Sequence, residues 1–73
     1  MIQKDNLYGY YVSYDDEVAY DGFAYLRDRL DQSEVIVFFH EASRVGKADY
    51  EDDYGRDFTL TKNDDGTFTI IKR

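Results

Sequence analysis

A chain of 73 residues with no cysteine cannot be stapled by disulfides, and it has no thiolate with which to hold a structural metal. Its fold must rest on buried side chains alone. A domain of this length buries only about 60% of the surface that its unfolded chain exposes, so the core is thin. Eight Tyr and five Phe supply the material for it. Each buried ring removes roughly 150–250 Å² from water, so a few suffice for a small core. Lack of cysteine in so small a domain also points to a reducing compartment, and the expected location is cytoplasmic.

Residues 1–73 read as a single small acidic domain without linker, repeat or low-complexity tract. Met1 to Asn6 is polar and lacks the apolar stretch of a signal peptide. The longest strongly apolar run is Val35-Ile36-Val37-Phe38-Phe39, far short of the ~20 residues a membrane-spanning helix needs.

Leu7 to Ser13 reads as a first strand, rich in Tyr and Val. Two readings of the next stretch stay open. In one, Ser13 caps a long helix, with Asp16 three residues on. In the other, Tyr14 to Glu17 is a turn, Val18 to Tyr20 is a short strand, and Asp21 caps a helix from Gly22 to about Gln32. Both bury Phe23, Leu26 and Leu30 on one helical face. Val35 to Ala42, apolar on both faces for five positions, reads as the central strand. Ser43 to Lys47 is a loop around Gly46. Ala48 to Tyr54 alternates, with Asp52 as a break. Phe58 to Thr61 and Thr67 to Ile70 flank Asn63-Asp64-Asp65-Gly66 and read as a C-terminal β-hairpin, with Phe58, Leu60, Phe68 and Ile70 inward. The expected architecture is α+β: one amphipathic helix packed on an antiparallel sheet of four to five strands.

The residues for catalysis do not converge in sequence. His40, the one histidine, falls at the end of the expected central strand beside Glu41, and strand neighbours point to opposite faces. Ser13, Ser33 and Ser43 sit at expected cap or loop positions without the flanking glycines of a nucleophile elbow. There is no phosphate-binding glycine loop. Asn63 to Gly66 has calcium-ligand residue types in the wrong spacing, and Lys72 stands where that pattern needs a Glu. No enzyme activity, metal or cofactor is expected.

Charge carries the functional expectation. Sixteen acids oppose nine bases, a net charge of −7, which disfavours direct contact with nucleic acid or an anionic membrane. The excess sits in two segments. Tyr14 to Asp21 holds Asp15, Asp16, Glu17 and Asp21 without a base. Asp49 to Asp57 holds five acids against Arg56. Tyrosines interleave with both. The plain reading of such runs is a solvated face over packed rings. The functional reading is a surface for a basic protein partner, made of Asp15, Asp16, Glu17, Asp21, Asp49, Tyr50, Glu51, Asp52, Asp53 and Tyr54. On a strand, Asp49, Glu51 and Asp53 would lie about 6.7 Å apart on one face, the order of successive phosphates. Small acidic proteins that block nucleases, restriction enzymes or CRISPR effectors are similar in this character, though no motif is shared. The sequence thus suggests a phage-type inhibitor that occupies a basic nucleic-acid site on its target. The alternative is an interaction module or homodimer that pairs through the exposed edge of the C-terminal hairpin.

Overall fold

The computed structural model describes all 73 residues. Strand β1 (Ile2–Leu7) and strand β2 (Tyr10–Asp15) form an antiparallel hairpin. Helix α1 (Tyr20–Ala24) widens into a π-helical turn, Tyr25–Arg29, and helix α2 (Gln32–Val45) follows. Strands β3 (Lys47–Glu51), β4 (Asp57–Lys62) and β5 (Phe68–Lys72) form an antiparallel meander. The five strands make one sheet in the order β1-β2-β5-β4-β3.

This is an α+β fold, with two corrections to the architecture expected from sequence. The sheet is mixed, because β2 and β5 pair in parallel, Val12 beside Phe68 and Tyr14 beside Ile70. The helical segment between the β1–β2 hairpin and the meander returns the chain so that β5 enters beside β2 in the same direction. There are also two helices, since Val35 to Ala42 is part of α2. Five consecutive apolar residues fit a buried strand and a buried helix equally well, and length decides between them. Here Val35, Phe39 and Ala42 are fully buried while Val37 and His40 are exposed, a helical and not an alternating pattern. The Glu34 carboxylate reaches back to accept the Asp31 N–H at 3.1 Å, which fixes the start of α2. Gly46, at φ 97°, ends it with a left-handed cap that an L side chain resists.

The chain between residues 13 and 20 follows neither expected course. Strand β2 runs on to Asp15, and α1 begins only at Tyr20. The N-terminal hairpin begins at Ile2, well before the expected Leu7. Its turn is the two-residue Tyr8-Gly9, both at positive φ (54° and 93°), as a tight hairpin with the twist of its strands requires. The polar side chains of β1 suit its exposed edge position and hide it from a search for apolar alternation.

Both helices lie on one face of the sheet and close a single core of fifteen residues. Phe23 and Leu26 come from the first helical stretch, Val35, Phe39 and Ala42 from α2, and Val12, Tyr14, Tyr50, Phe58, Leu60, Phe68 and Ile70 from the sheet. Leu30 is only partly buried at its margin. The rings pack in order. Tyr10 stacks on Phe39 at 4.3 Å, Phe39 meets Phe68 edge-on at 4.9 Å, and Tyr14 stacks on Phe23 at 4.4 Å. No helix is long and apolar enough to cross a membrane.

Gly22 marks where α1 comes closest to the sheet. A Cβ there would stand 2.6 Å from the Phe58 ring, itself fully buried. Alanine ordinarily favours a helix over glycine by about 1 kcal/mol. Here the clash reverses the sign, and Gly22→Ala is expected to destabilise the fold by about 1–3 kcal/mol, as overpacking does. Urea denaturation checks this. A higher midpoint for the variant would mean that the helix can lift from the sheet at no cost.

Candidate functional site

Strands β2, β3 and β5 all run in the same direction, so their C-terminal ends share one end of the sheet. That end receives Asp15 to Glu17 from β2 and Glu51 to Asp53 from β3, with Asp57 at the start of β4. The two acidic segments, more than 30 positions apart in sequence, therefore meet. Their meeting point is Arg56, whose Nη1 donates to Asp21 at 2.7 Å and whose Nε donates to Asp52 at 2.6 Å.

Most of these carboxylates have a cationic partner, but several share one: Asp15, Asp16 and Glu17 the Met1 amine, Asp21 and Asp52 the Arg56 guanidinium, Asp49 and Asp57 that of Arg73. Asp52 is nearly buried (7% exposed) and accepts from the Tyr54 N–H, the Arg56 N–H and the Arg56 guanidinium. Burial pushes its pKa up, but those donors outweigh burial and hold it below the usual carboxylate range. It organises the β3–β4 turn. Asp53 lies beyond β3 and pairs with Arg29 Nε at 2.6 Å. Asp15 and Asp16 accept from the amino group of Met1 at 3.3 and 3.0 Å. The Glu17 N–H and that amine depress Asp15, and the amine and Gln3 depress Asp16. Glu17 is exposed, 3.9 Å from the same amine. Asp49 accepts from the Thr59 hydroxyl at 2.7 Å, which lowers its pKa, and Arg73 stands 4.0 Å away.

The tyrosines divide. Tyr50 is in the core and donates its hydroxyl to the Gly22 carbonyl at 2.8 Å. Burial pushes that phenol far up, so it stays a donor at any ordinary pH. Tyr54 is 83% exposed, with the Arg56 guanidinium 5.2 Å from its ring centre. The evenly spaced row of Asp49, Glu51 and Asp53 is not formed. Asp49 and Glu51 share the outer face of β3, but Asp53 has left the strand for Arg29. Of the ten residues read from the sequence as a surface, Tyr50 and Asp52 serve the interior, and Glu51 alone among the exposed acids has no ionic partner.

A second feature is not legible in the sequence. Strand β3 is an edge of the sheet. At its two ends Lys62 donates to the Gly46 carbonyl at 3.1 Å and Asp52 donates to the Arg56 carbonyl at 2.9 Å. In an antiparallel ladder the pairs that exchange hydrogen bonds alternate, so Ala48 and Tyr50 bond inward to β4. The N–H and C=O groups of Lys47, Asp49 and Glu51 then point outward, unpaired. Alongside this edge runs a groove in which Val37, Phe38 and Val45 of α2 and Ala48 of β3 alternate with the charged Glu41, Lys47 and Asp49. Val37 is 63% exposed and Val45 54%. Reading 35–42 as a strand conceals the groove, because it exists only if those residues form a helix over β3. The strand that the sequence offers for pairing, in the C-terminal hairpin, has no free edge: β5 lies between β2 and β4, and β4 between β5 and β3.

Side chains of catalytic type remain apart. His40 is exposed on α2 with no side-chain hydrogen bond, and Ser43 is exposed on the same helix, not in a loop. No three His, Cys, Asp or Glu side chains group as metal ligands. The site is thus a surface: a free strand edge, a flank of mixed apolar and charged residues, and a partly paired acidic end on a two-layer α+β domain. Compared with protein-family models, curated proteins and solved structures, the chain matches none.

Proposed function

We propose that this chain is a non-catalytic protein-interaction module that binds through the free edge of β3 and the groove between β3 and α2. The observation that carries this reading is the outward-facing backbone of Lys47, Asp49 and Glu51 beside the exposed Val37 and Val45. Edge strands are ordinarily blunted by charged side chains, bulges, proline or a covering element, because an open one pairs with other chains. Strand β3 carries charges at Lys47, Asp49 and Glu51, but its ladder with β4 has no bulge and no element covers its outer edge. Here no proline is present, and the flank adds apolar contact. An added strand supplies backbone hydrogen bonds, and its inward side chains fill the groove.

The second reading keeps the basic target. The common end of the sheet for residues 15–21 and 49–57 favours it, together with the net charge of −7. The target would be a nucleic-acid-binding enzyme or effector, met without an ordered carboxylate row. Pairing with the Met1 amine, Arg29, Arg56 and Arg73 reduces the field at this end without removing it, since the acids there outnumber those four cations.

Capture of partners at low and high salt, with two sets of variants, separates the readings. Binding at the edge should survive high salt and be lost in Val37→Glu and Val45→Glu, whose positions are exposed enough to leave the fold intact. Binding at the acidic end should be lost at high salt and in the combined change of Asp49, Glu51 and Asp53 to Ser. A partner retained by both variant sets contradicts both readings.

A further inference from the structure

The free edge of β3 has an internal symmetry that says what kind of strand fits it. Its outward-facing residues are Lys47, Asp49 and Glu51, a base, a central position and an acid. Neither Lys47 nor Glu51 makes an ion pair within the chain; no lysine does, and Glu51 is the one exposed acid at this end of the sheet without such a partner. We infer that the occupant of this edge is a second copy of the chain, with β3 paired antiparallel to its own copy about a two-fold axis through Asp49. The inference rests on the edge reading above and names its partner.

The register follows from the chemistry. Outward groups must face outward groups, so odd-numbered positions oppose odd-numbered positions. Among such registers, the one that uses the whole of β3 sets Asp49 opposite Asp49 of the second copy and Lys47 opposite Glu51 of the second copy, twice over. All three pairs fall at hydrogen-bonding positions, giving roughly six backbone hydrogen bonds across the axis. Each Lys47–Glu51 pair puts opposite charges side by side on the outer face, which stabilises cross-strand pairing. The two Asp49 residues would repel if they faced each other across the axis. They do not extend that way: each carboxylate is held toward its own β4 by the Thr59 hydroxyl at 2.7 Å, with Arg73 beside it.

The helical layer supports the same arrangement. The axis that joins the two sheets also brings the two grooves together, because each groove lies along β3 on the helix side. Val37 and Val45 would then be covered by their counterparts. An isologous contact of this kind closes on itself and stops at two copies, unlike the open-ended pairing of β3 with β1 of another copy. The result is a ten-stranded continuous sheet with both α2 helices on one face, flanking the axis.

Sedimentation and register-specific cross-linking test this. The native chain should sediment at about twice its 8.6 kDa mass. Asp49→Pro removes one outward N–H and no hydrogen bond to β4, so it should sediment as a single chain with an unchanged circular dichroism spectrum. Val45→Glu, at an exposed helix position, should do the same and guards against misfolding of the proline variant. With a short thiol-specific cross-linker, an equal mixture of Lys47→Cys and Glu51→Cys should form a mixed covalent dimer. Neither should link to itself, because like positions lie about 13 Å apart in this register. A native chain that keeps single-chain mass at millimolar concentration overturns the second copy as occupant, yet leaves the edge reading standing if Val37→Glu still abolishes capture of another partner. A dimer that survives both Asp49→Pro and Val45→Glu forms elsewhere and overturns the pairing of β3 with its own copy; the edge reading falls with it only if Val37→Glu and Val45→Glu also leave capture of other partners unchanged. Self-linking of Glu51→Cys as fast as mixed linking overturns the register.

Discussion

Phe39→Ala is expected to lower the unfolding free energy by about 3–5 kcal/mol, the usual cost of emptying a fully buried ring site. Phe39 has no exposed surface and sits between two other rings, stacked on Tyr10 and edge-on to Phe68. It thereby joins α2 to both halves of the sheet, the β1–β2 hairpin through Tyr10 and the meander through Phe68. A domain of 73 residues has a total stability of about 4–11 kcal/mol at ordinary values per residue. The substitution therefore removes about a quarter or more of it, and at the low end of that range it leaves the variant marginal or unfolded in water. Urea titration followed by circular dichroism measures the shift. Phe38→Ala, at a partly buried site, is the control and should move the midpoint much less. Equal shifts for the two would refute the placement of Phe39 at the centre of the helical face.

Asp52→Asn should cost about 2–3 kcal/mol at neutral pH, since it breaks a buried, charge-assisted network while Arg56 stays partly solvated. The amide keeps one oxygen to accept from the Tyr54 and Arg56 N–H groups. Its nitrogen must then face Arg56 Nε, donor against donor. The effect has a definite pH dependence. The folded pKa of Asp52 is depressed, so its stabilisation is fully present above the unfolded value of about 3.9 and disappears as pH falls through the folded value. The gap between native protein and variant should be constant from pH 8 to about 5 and close below about pH 4. Asp15, Asp16, Asp28, Asp49 and Asp65 are also depressed and steepen acid unfolding in both proteins, so they cancel in the difference. A gap that persists unchanged at pH 2 would mean that Asp52 acts through shape and not through charge.

The two substitutions probe different kinds of information in the chain. Much of the core is legible in residue types alone. Phe23 and Leu26 fall on a buried helical face, and Phe58, Leu60, Phe68 and Ile70 on the inward side of their strands, because period and alternation are local properties. Asp52 shows in the sequence as a break in the alternation of Ala48 to Tyr54, though not as the acceptor that closes the following turn. The run Val35 to Phe39 misleads when taken by itself, but its neighbours hold the missing signals: Asp31 and Glu34 at capping-box spacing before it, and Gly46 after it. Flanks and run together specify a helix of the right length.

Residue types and their order are enough for the inventory: a thin aromatic core, a strongly acidic balance, the hairpin turn at Gly66 (though not the one at Gly9, read as mid-strand), and a chain without disulfides. Which charges cancel and which edge stays open depends instead on how the elements assemble. Arg56 meets Asp21 across 35 positions, and Arg29 meets Asp53 across 24. Such meetings are set by the order of the strands, and nothing in a local window encodes that order. For the same reason β3, which resembles any alternating strand in sequence, is an edge with unpaired backbone only because β5 inserts beside β2 and leaves it outermost.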